Sequence, residues 1–419
     1  MKKIYYGKAV YDKKEINAVL NVLKNHSLNL IDGPHVKKLE KIVAKIFGKK
    51  YGLMVNSGSS ANLLALSSFK FKKGSEIITP ALTFSTTVAP IYQLGLVPYF
   101  IGAIENKFLA DTDQIEKCIN KKTVAIMIPN LLGNIADWTK INKIAKKYKL
   151  KVIEDSADTI GYTVNKKING NLSDITTNSF YASHIINGAG SGGIACFNDY
   201  KLYQNAKLLR GWGRSSATIN ESEKIEDRFN IKVSGIQYDK KYIFSELGYN
   251  FLPSEISAAF AIEQIKKLPK LVKSRQKIAE RLSNGLSGLK GLKIPDVENH
   301  CTHVYYVYPI VLDIKLLKIS KESIAQALTA EGVVGITTKY QNIHLLPMYQ
   351  EKIAYGSKGF PWNSEICQRE VDYSKGICPI AETLQDDSFM AFAGISQYDL
   401  SNSDVDLIIS AFKKVWSNL

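Results

Sequence analysis

Short apolar runs alternate with helical stretches along this chain, and that alternation restricts it to a small set of architectures. Glu76-Ile77-Ile78-Thr79 and Ala125-Ile126-Met127-Ile128 read as strands, and Lys140 to Tyr148 reads as a helix. Strands separated by helices pair in parallel, because the crossover helix carries the chain back to the same end of the sheet. Parallel βαβ units in an α/β protein are therefore expected. A chain of 419 residues with 45% hydrophobic content can bury a sizeable core and has length for two or three domains. No internal repeat or low-complexity tract breaks the pattern.

The opening segment, Met1-Lys2-Lys3-Ile4-Tyr5-Tyr6-Gly7-Lys8, has a basic end but is interrupted before an apolar signal-peptide core forms. No later stretch reaches the ~18 uninterrupted apolar residues of a spanning helix, so a soluble, cytoplasmic protein without a membrane partner is expected. The five cysteines, Cys118, Cys196, Cys301, Cys367 and Cys378, show no paired spacing. That scatter suits reduced thiols better than a disulfide framework or a zinc site, and no metal is expected. The formal charge of +16 is spread through helical stretches such as Lys143-Ile144-Ala145-Lys146-Lys147, with no nucleic-acid module. It reads as a solvated basic surface whose field favours a phosphate-rich small molecule, not a nucleic acid.

Three segments carry chemistry. Val55-Asn56-Ser57-Gly58-Ser59-Ser60-Ala61-Asn62-Leu63 is a strand turning through small residues into a helix; the unpaired first N–H groups of such a helix, with its dipole, can hold a phosphate. Val152-Ile153-Glu154-Asp155-Ser156-Ala157-Asp158 is an apolar strand ending in carboxylates. Asn178-Ser179-Phe180-Tyr181-Ala182-Ser183-His184, followed by Gly188, Gly190, Gly192 and Gly193, is a buried strand running into a glycine-rich loop, a junction that presents one side chain to a site. In this order and at these separations the segments resemble the sugar aminotransferase family that uses pyridoxal phosphate, the DegT/DnrJ/StrS type of the fold-type I group. The resemblance runs from Gly33-Pro34 to the C-terminal helix. It implies a three-layer α/β/α large domain with a mostly parallel sheet over residues 1–253. A smaller C-terminal α/β domain would cover residues 254–419, its first helix starting near Ser254.

The resemblance also assigns roles. Asp155 would pair with the pyridinium nitrogen of the cofactor, keeping it protonated and the ring an electron sink; taken alone the residue reads as a helix N-cap, and its position relative to His184 makes the difference. Ser59, Ser60 and Ser179 would hold the cofactor phosphate. Phe84, in Thr79-Pro80-Ala81-Leu82-Thr83-Phe84-Ser85-Thr86-Thr87, would stack over the ring, with a plain core aromatic as its other reading. Gly248-Tyr249-Asn250 matches the motif through which a neighbouring subunit lends an asparagine to the phosphate, which implies a homodimer with a shared active site. Tyr306, in His303-Val304-Tyr305-Tyr306, and His344, in Tyr340-Gln341-Asn342-Ile343-His344-Leu345-Leu346-Pro347, would contact substrate; aromatic-core and surface positions are their alternatives.

His184 stands where that family has the lysine that binds its cofactor covalently, a bond histidine cannot make. The same replacement marks the branch of 3-dehydratases that deoxygenate nucleotide-linked 4-keto-6-deoxyhexoses. Asp158, where most aminotransferases of the family have a glutamine near the cofactor hydroxyl, and Asn130-Leu131-Leu132-Gly133-Asn134 depart in the same direction. Without a lysine, pyridoxamine phosphate can stay non-covalent and condense with the C4 ketone of a sugar. An imidazole of unperturbed pKa about 6.5 can then move a proton to the departing C3 hydroxyl, and L-glutamate would restore the amine. The stretch Ser215 to Lys240 contains no cysteine, whereas a [2Fe–2S] cluster takes about four thiolates; the iron-free branch, with a GDP-linked substrate, is implied. Ile185 and the long loop Gly188-Ala189-Gly190-Ser191-Gly192-Gly193 look instead like ordinary sugar aminotransferases. Three readings follow: the dehydratase, an aminotransferase-like enzyme that tolerates histidine, and a non-catalytic protein that binds cofactor or nucleotide sugar. An isolated histidine in a loop would be the plain alternative for position 184.

Overall fold

The computed structural model describes residues 8–25, 30–168, 170–218, 228–297, 301–354, 357–362, 367, 370–397 and 399–419. Residues 1–7 of the opening segment and 219–227 of the cysteine-free stretch lie outside these described residues.

The central sheet has seven strands: β1 (Tyr51–Val55), β2 (Glu76–Pro80), β3 (Val97–Ile101), β4 (Thr123–Pro129), β5 (Lys151–Asp155), β6 (Ile175–Ser179) and β7 (Gly193–Phe197). Across the sheet they lie in the order β1-β7-β6-β5-β4-β2-β3. The pairs from β6 to β3 are parallel, and only β7 runs against its neighbours. The mainly parallel sheet expected from the sequence is thus present.

Both faces of the sheet are covered, which is why strands such as β4 read as near-continuous apolar runs instead of alternating. In β4, Ala125 and Met127 pack into one layer while Ile126 and Ile128 pack into the other. One layer contains α2 (Pro34–Ile46), α5 (Trp138–Tyr148) and the first half of α7 (Glu255–Leu286); α1 (Lys13–Asn25) lies along α7. The other contains α3 (Gly58–Ser68), α4 (Ser85–Gln93) and α6 (Tyr200–Arg210). The amphipathic pattern read at 140–148 is α5: the Asp137 carboxylate caps it by accepting the Lys140 N–H at 2.9 Å, and Ile141, Ile144 and Ala145 form its buried face.

A second, antiparallel sheet follows, with β8 (Leu292–Lys293), β9 (Tyr308–Leu312), β10 (Ile336–Thr337) and β11 (Phe389–Phe392) in the order β8-β9-β11-β10. It packs on α8 (Lys321–Ala330), α9 (Asn402–Trp416) and the second half of α7. The 32-residue α7 starts at Ser254, whose hydroxyl caps it, and therefore runs from one core into the other. Val307, Val311, Ile343, Tyr349 and Phe389 from this C-terminal part pack into the same core as β1, β2 and α3.

Candidate active site

Ligands of open α/β sheets bind beyond the carboxyl ends of the parallel strands, and the motif residues meet along that edge. The Phe180 N–H donates to the Gly192 carbonyl and the Gly192 N–H to the Asn56 carbonyl, each at 2.9 Å, so the ends of β1 and β6 are joined through the start of β7. Two glycines make this join possible. A Cβ on Gly193 would stand 2.4 Å from the Ser57 carbonyl oxygen, and one on Gly58 would stand 2.5 Å from Ser179 Cβ. The turn into α3 is therefore pressed against Ser179. Ser57 caps α3, its Oγ accepting the Ser60 N–H at 3.1 Å and lying 2.9 Å from Ser60 Oγ, while Ser59 is exposed. The hydroxyls of Ser57, Ser60 and Ser179 and the helix start thus gather at one place, as phosphate binding requires.

Asp155 ends β5 and is buried. Asn62 Nδ2 and Thr87 Oγ1 each donate to its Oδ2 at 2.8 Å, and the Ala157 N–H donates to Oδ1 at 3.0 Å. Both donors are themselves held: Thr177 Oγ1 donates to Asn62 Oδ1 at 2.6 Å, and Thr83 Oγ1 to Thr87 Oγ1 at 2.9 Å. Burial raises the Asp155 pKa, and the hydrogen bonds from Thr87, Asn62 and Ala157 oppose the rise. No cation among the described residues pairs with this carboxylate. Asn62 and Thr87 were not singled out by sequence reasoning, although both lie within the quoted motifs; a buried polar residue within the first turns of a helix is the signal they carry.

Asp158 accepts the Leu132 N–H at 2.9 Å, and burial, reinforced by the nearby Asp155 charge, pushes its pKa up to about 7. Leu132 has φ 57° and Gly133 φ 92°, so the chain turns sharply there. The Gly133 carbonyl accepts the Val304 N–H at 2.9 Å, and a Cβ on Gly133 would stand 2.4 Å from the Tyr306 nitrogen. That close approach delivers Tyr306 to the site. Its ring meets the His184 imidazole edge-on at 5.2 Å between centroids, and its hydroxyl lies 3.3 Å from Ser183 Oγ. Tyr181 flanks the same imidazole at 6.0 Å. His184 Nδ1 is out of water with no hydrogen-bond partner. Burial drives the His184 pKa down to about 4, with the Ser179 and Ala157 backbones pulling the other way, so the ring is neutral near pH 7.

The remaining sequence candidates are placed differently from one another. Phe84, at the start of α4, is 52% exposed and so is not a core aromatic. The Ser85 N–H beside it is held by Gln341 Oε1 at 3.1 Å. Asn250 is exposed, on a segment bridged to Gly211. His344 is 0% exposed: its Nε2 lies 3.0 Å from Glu382 Oε1 and its ring packs on Phe100, so the structure brings it into the interior and not to the open edge. Burial lowers its pKa, with Glu382 opposing.

The donor set fits pyridoxal or pyridoxamine phosphate. A buried carboxylate with no cation beside it among the described residues suits a protonated ring nitrogen, a hydroxyl-lined helix start suits a phosphate, and an imidazole nitrogen out of water is left without a partner nearby. The profile of the DegT/DnrJ/EryC1/StrS aminotransferase family matches residues 10–387. The chain belongs to this family. Members use pyridoxal phosphate or its pyridoxamine form, and the chain is an enzyme of that sugar aminotransferase and dehydratase group. It is 34% identical over 296 residues to the dTDP-4-dehydro-2,6-dideoxy-D-glucose 3-dehydratase of Saccharopolyspora spinosa, covering 68% of this chain and 64% of that one. It is 35% identical over 282 residues to the GDP-4-keto-6-deoxy-D-mannose 3-dehydratase of Yersinia pseudotuberculosis, covering 65% of this chain and 68% of that one. The chain thus spans about two thirds of the length of these curated relatives. The fold is that of Helicobacter pylori PseC, an aminotransferase involved in pseudaminic acid biosynthesis, at TM-score 0.80 and 24% identity over 100% of both chains. Among the described residues no helix is long and apolar enough to cross a membrane, and no group of histidine, cysteine and acidic side chains is arranged to hold a metal ion.

Proposed function

We propose that the chain is a pyridoxamine phosphate-dependent 3-dehydratase that removes the C3 hydroxyl of a nucleotide-linked 4-keto-6-deoxyhexose, in the supply of deoxysugars for surface polysaccharides. The observation that carries this reading is His184 itself, a neutral imidazole at the lysine position, held between Tyr306 and Tyr181. The cofactor, held without a covalent bond, supplies the amine that condenses with the sugar ketone and the ring that withdraws electrons. His184, uncharged near pH 7, accepts a proton beside the cofactor and returns it to the leaving hydroxyl. Asp155 holds the ring nitrogen protonated, Phe84 covers the ring, and Ser59, Ser60 and Ser179 bind the phosphate. Asp158 sits near the cofactor hydroxyl, and Tyr306 positions the imidazole and closes one side of the site.

The amino donor in this reading is L-glutamate, and the substrate is GDP-linked, since the cysteine-free stretch Ser215 to Lys240 suits the branch that works without an iron–sulfur cluster. We further propose a homodimer in which Asn250 reaches the partner's phosphate turn. The exposure of Asn250 together with Tyr242, Phe244 and Leu247 on the same segment supports it, since apolar side chains clustered at a surface mark a contact.

The experiment is incubation with pyridoxamine phosphate, L-glutamate and GDP-, CDP-, dTDP- and UDP-linked 4-keto-6-deoxy sugars, with mass spectrometry of the products. Loss of the C3 oxygen supports the proposal. A second reading, an aminotransferase, is favoured by Ile185 and the loop from Gly188 to Gly193; gain of an amino group at C4 with C3 intact would establish it and remove the first.

A further inference from the structure

The Trp212-Gly213-Arg214 turn is built with unusual closeness. Trp212 has φ 62° and Gly213 φ 74°, and a Cβ on Gly213 would stand 1.9 Å from the Glu246 carbonyl oxygen. The Trp212 N–H donates to the Tyr249 carbonyl at 2.7 Å and the Ser245 N–H to the Gly213 carbonyl at 2.9 Å, so the turn is locked onto the segment from Phe244 to Tyr249. The result is a clamp around one side chain. The Arg214 guanidinium carbon lies 4.8 Å from the Trp212 ring centre and 5.7 Å from that of Phe244, both within cation–π reach.

The Nε of the same guanidinium is out of water with no acceptor among the described residues, and no carboxylate among them pairs with Arg214. Glu246, the acid on the facing segment, is paired with Lys70 instead. Removing a donor N–H from water without giving it an acceptor is costly, and two aromatic faces favour the charge without satisfying the Nε–H. The planar fork suits an oxyanion that offers two oxygens. The clamp also adjoins the proposed site: the Phe251 carbonyl accepts the Asn56 N–H at 3.2 Å, one residue before the Ser57 cap, and Gly211 is bridged to Asn250.

We infer that Arg214 is an anion-binding residue, held by Trp212 and Phe244, whose ligand is a phosphate or carboxylate oxygen pair of a substrate. The chemistry has two sources, the diphosphate of a nucleotide-linked sugar and the carboxylate of an amino donor. Only the choice of these ligands rests on the proposed function.

The test is calorimetric titration of the full-length protein, and of its Arg214→Gln, Arg214→Lys and Phe244→Leu variants, with GDP, dTDP, L-glutamate and inorganic pyrophosphate. Arg214→Gln should weaken one class of ligand on the order of 10- to 100-fold, the worth of a charge-assisted hydrogen bond, and leave the other unchanged. Arg214→Lys should recover only part of that loss, because it restores charge without the fork; Phe244→Leu should fall between wild type and Arg214→Gln. A loss confined to the nucleotides and pyrophosphate identifies the diphosphate, and one confined to glutamate identifies the carboxylate. If wild type binds pyrophosphate through Arg214 but neither nucleotides nor glutamate, the inference stands and the proposed function fails. Unchanged affinities in folded Arg214→Gln and Phe244→Leu proteins, or no anion binding by wild type, overturn the inference.

Discussion

The imidazole of His184 and the ring of Tyr306 meet edge to face, 5.2 Å between centroids and at 74°. Residues far apart in sequence therefore meet in one contact, which packs the Tyr306 ring against the His184 imidazole. Tyr306→Phe should keep this packing and cost little. Tyr306→Ala should release the imidazole and lower kcat on the order of 10-fold or more, the scale on which misplacing a catalytic group is felt. Equal turnover by the two variants would show that the contact does not orient His184.

Covalent attachment offers a direct check on the cofactor. Borohydride treatment of the protein loaded with pyridoxal phosphate should leave the polypeptide mass unchanged, while His184→Lys should gain the mass of the reduced cofactor. A stable adduct on any lysine of the wild type would contradict the non-covalent reading.

His184→Asn keeps a polar side chain of similar size but removes the titratable group. Turnover should fall ~10²–10⁴-fold with cofactor affinity nearly intact. Dehydration at close to the wild-type rate would take the proton-transfer role away from this residue.

Thr87 and Asn62 share one oxygen of Asp155, so each should be felt in cofactor retention. Thr87→Val preserves shape and removes a donor to a charged acceptor, an interaction worth about 1.5–3 kcal/mol. The cofactor dissociation constant, followed by its absorbance, should rise accordingly, and Thr87→Ser should restore it. Asp155→Asn should lose more, because the ring nitrogen then has no counter-charge.

The pH dependence of stability without cofactor has a defined sign at Asp158. Its pKa is raised by burial from 3.8 to about 7, so the folded protein holds a proton that the unfolded chain releases. That contribution is complete below the unfolded value and is lost as pH rises through the folded one. The difference in Tm between wild type and Asp158→Asn should therefore shift against wild type between pH 4 and 7 and level off above it. His184, lowered from 6.5 to about 4, acts oppositely: its contribution is present above 6.5 and is lost as pH falls. Comparing Asp158→Asn in the His184→Asn background separates the two.

The sheet and the placing of the motif residues at its edge were legible in the sequence because both are local. Apolar runs of strand length, a small-residue turn into a helix and a carboxylate at a strand end are each visible within ten residues, and Asp155, Ser179 and His184 emerge on one edge through strand pairing alone. Asn62 and Thr87 were not legible as partners of Asp155, since their roles depend on which face of α3 and α4 turns toward β5. His344 shows the converse. Its segment signals a site by motif, yet the pairing of its Nε2 with Glu382 and its packing on Phe100 place it in the interior, and no local pattern records that depth. Phe84 carries two readings in the sequence, and its 52% exposure removes the plain core aromatic.

The apolar cluster that joins Val307, Val311, Ile343, Tyr349 and Phe389 to β1, β2 and α3 leaves no seam between the two halves of the chain. A clamshell motion would have to wet that shared interior, and α7, threaded through both cores, would have to bend with it. An opening of the site edge that keeps this interior dry is therefore expected to be local, carried by surface segments such as the one bearing Phe84.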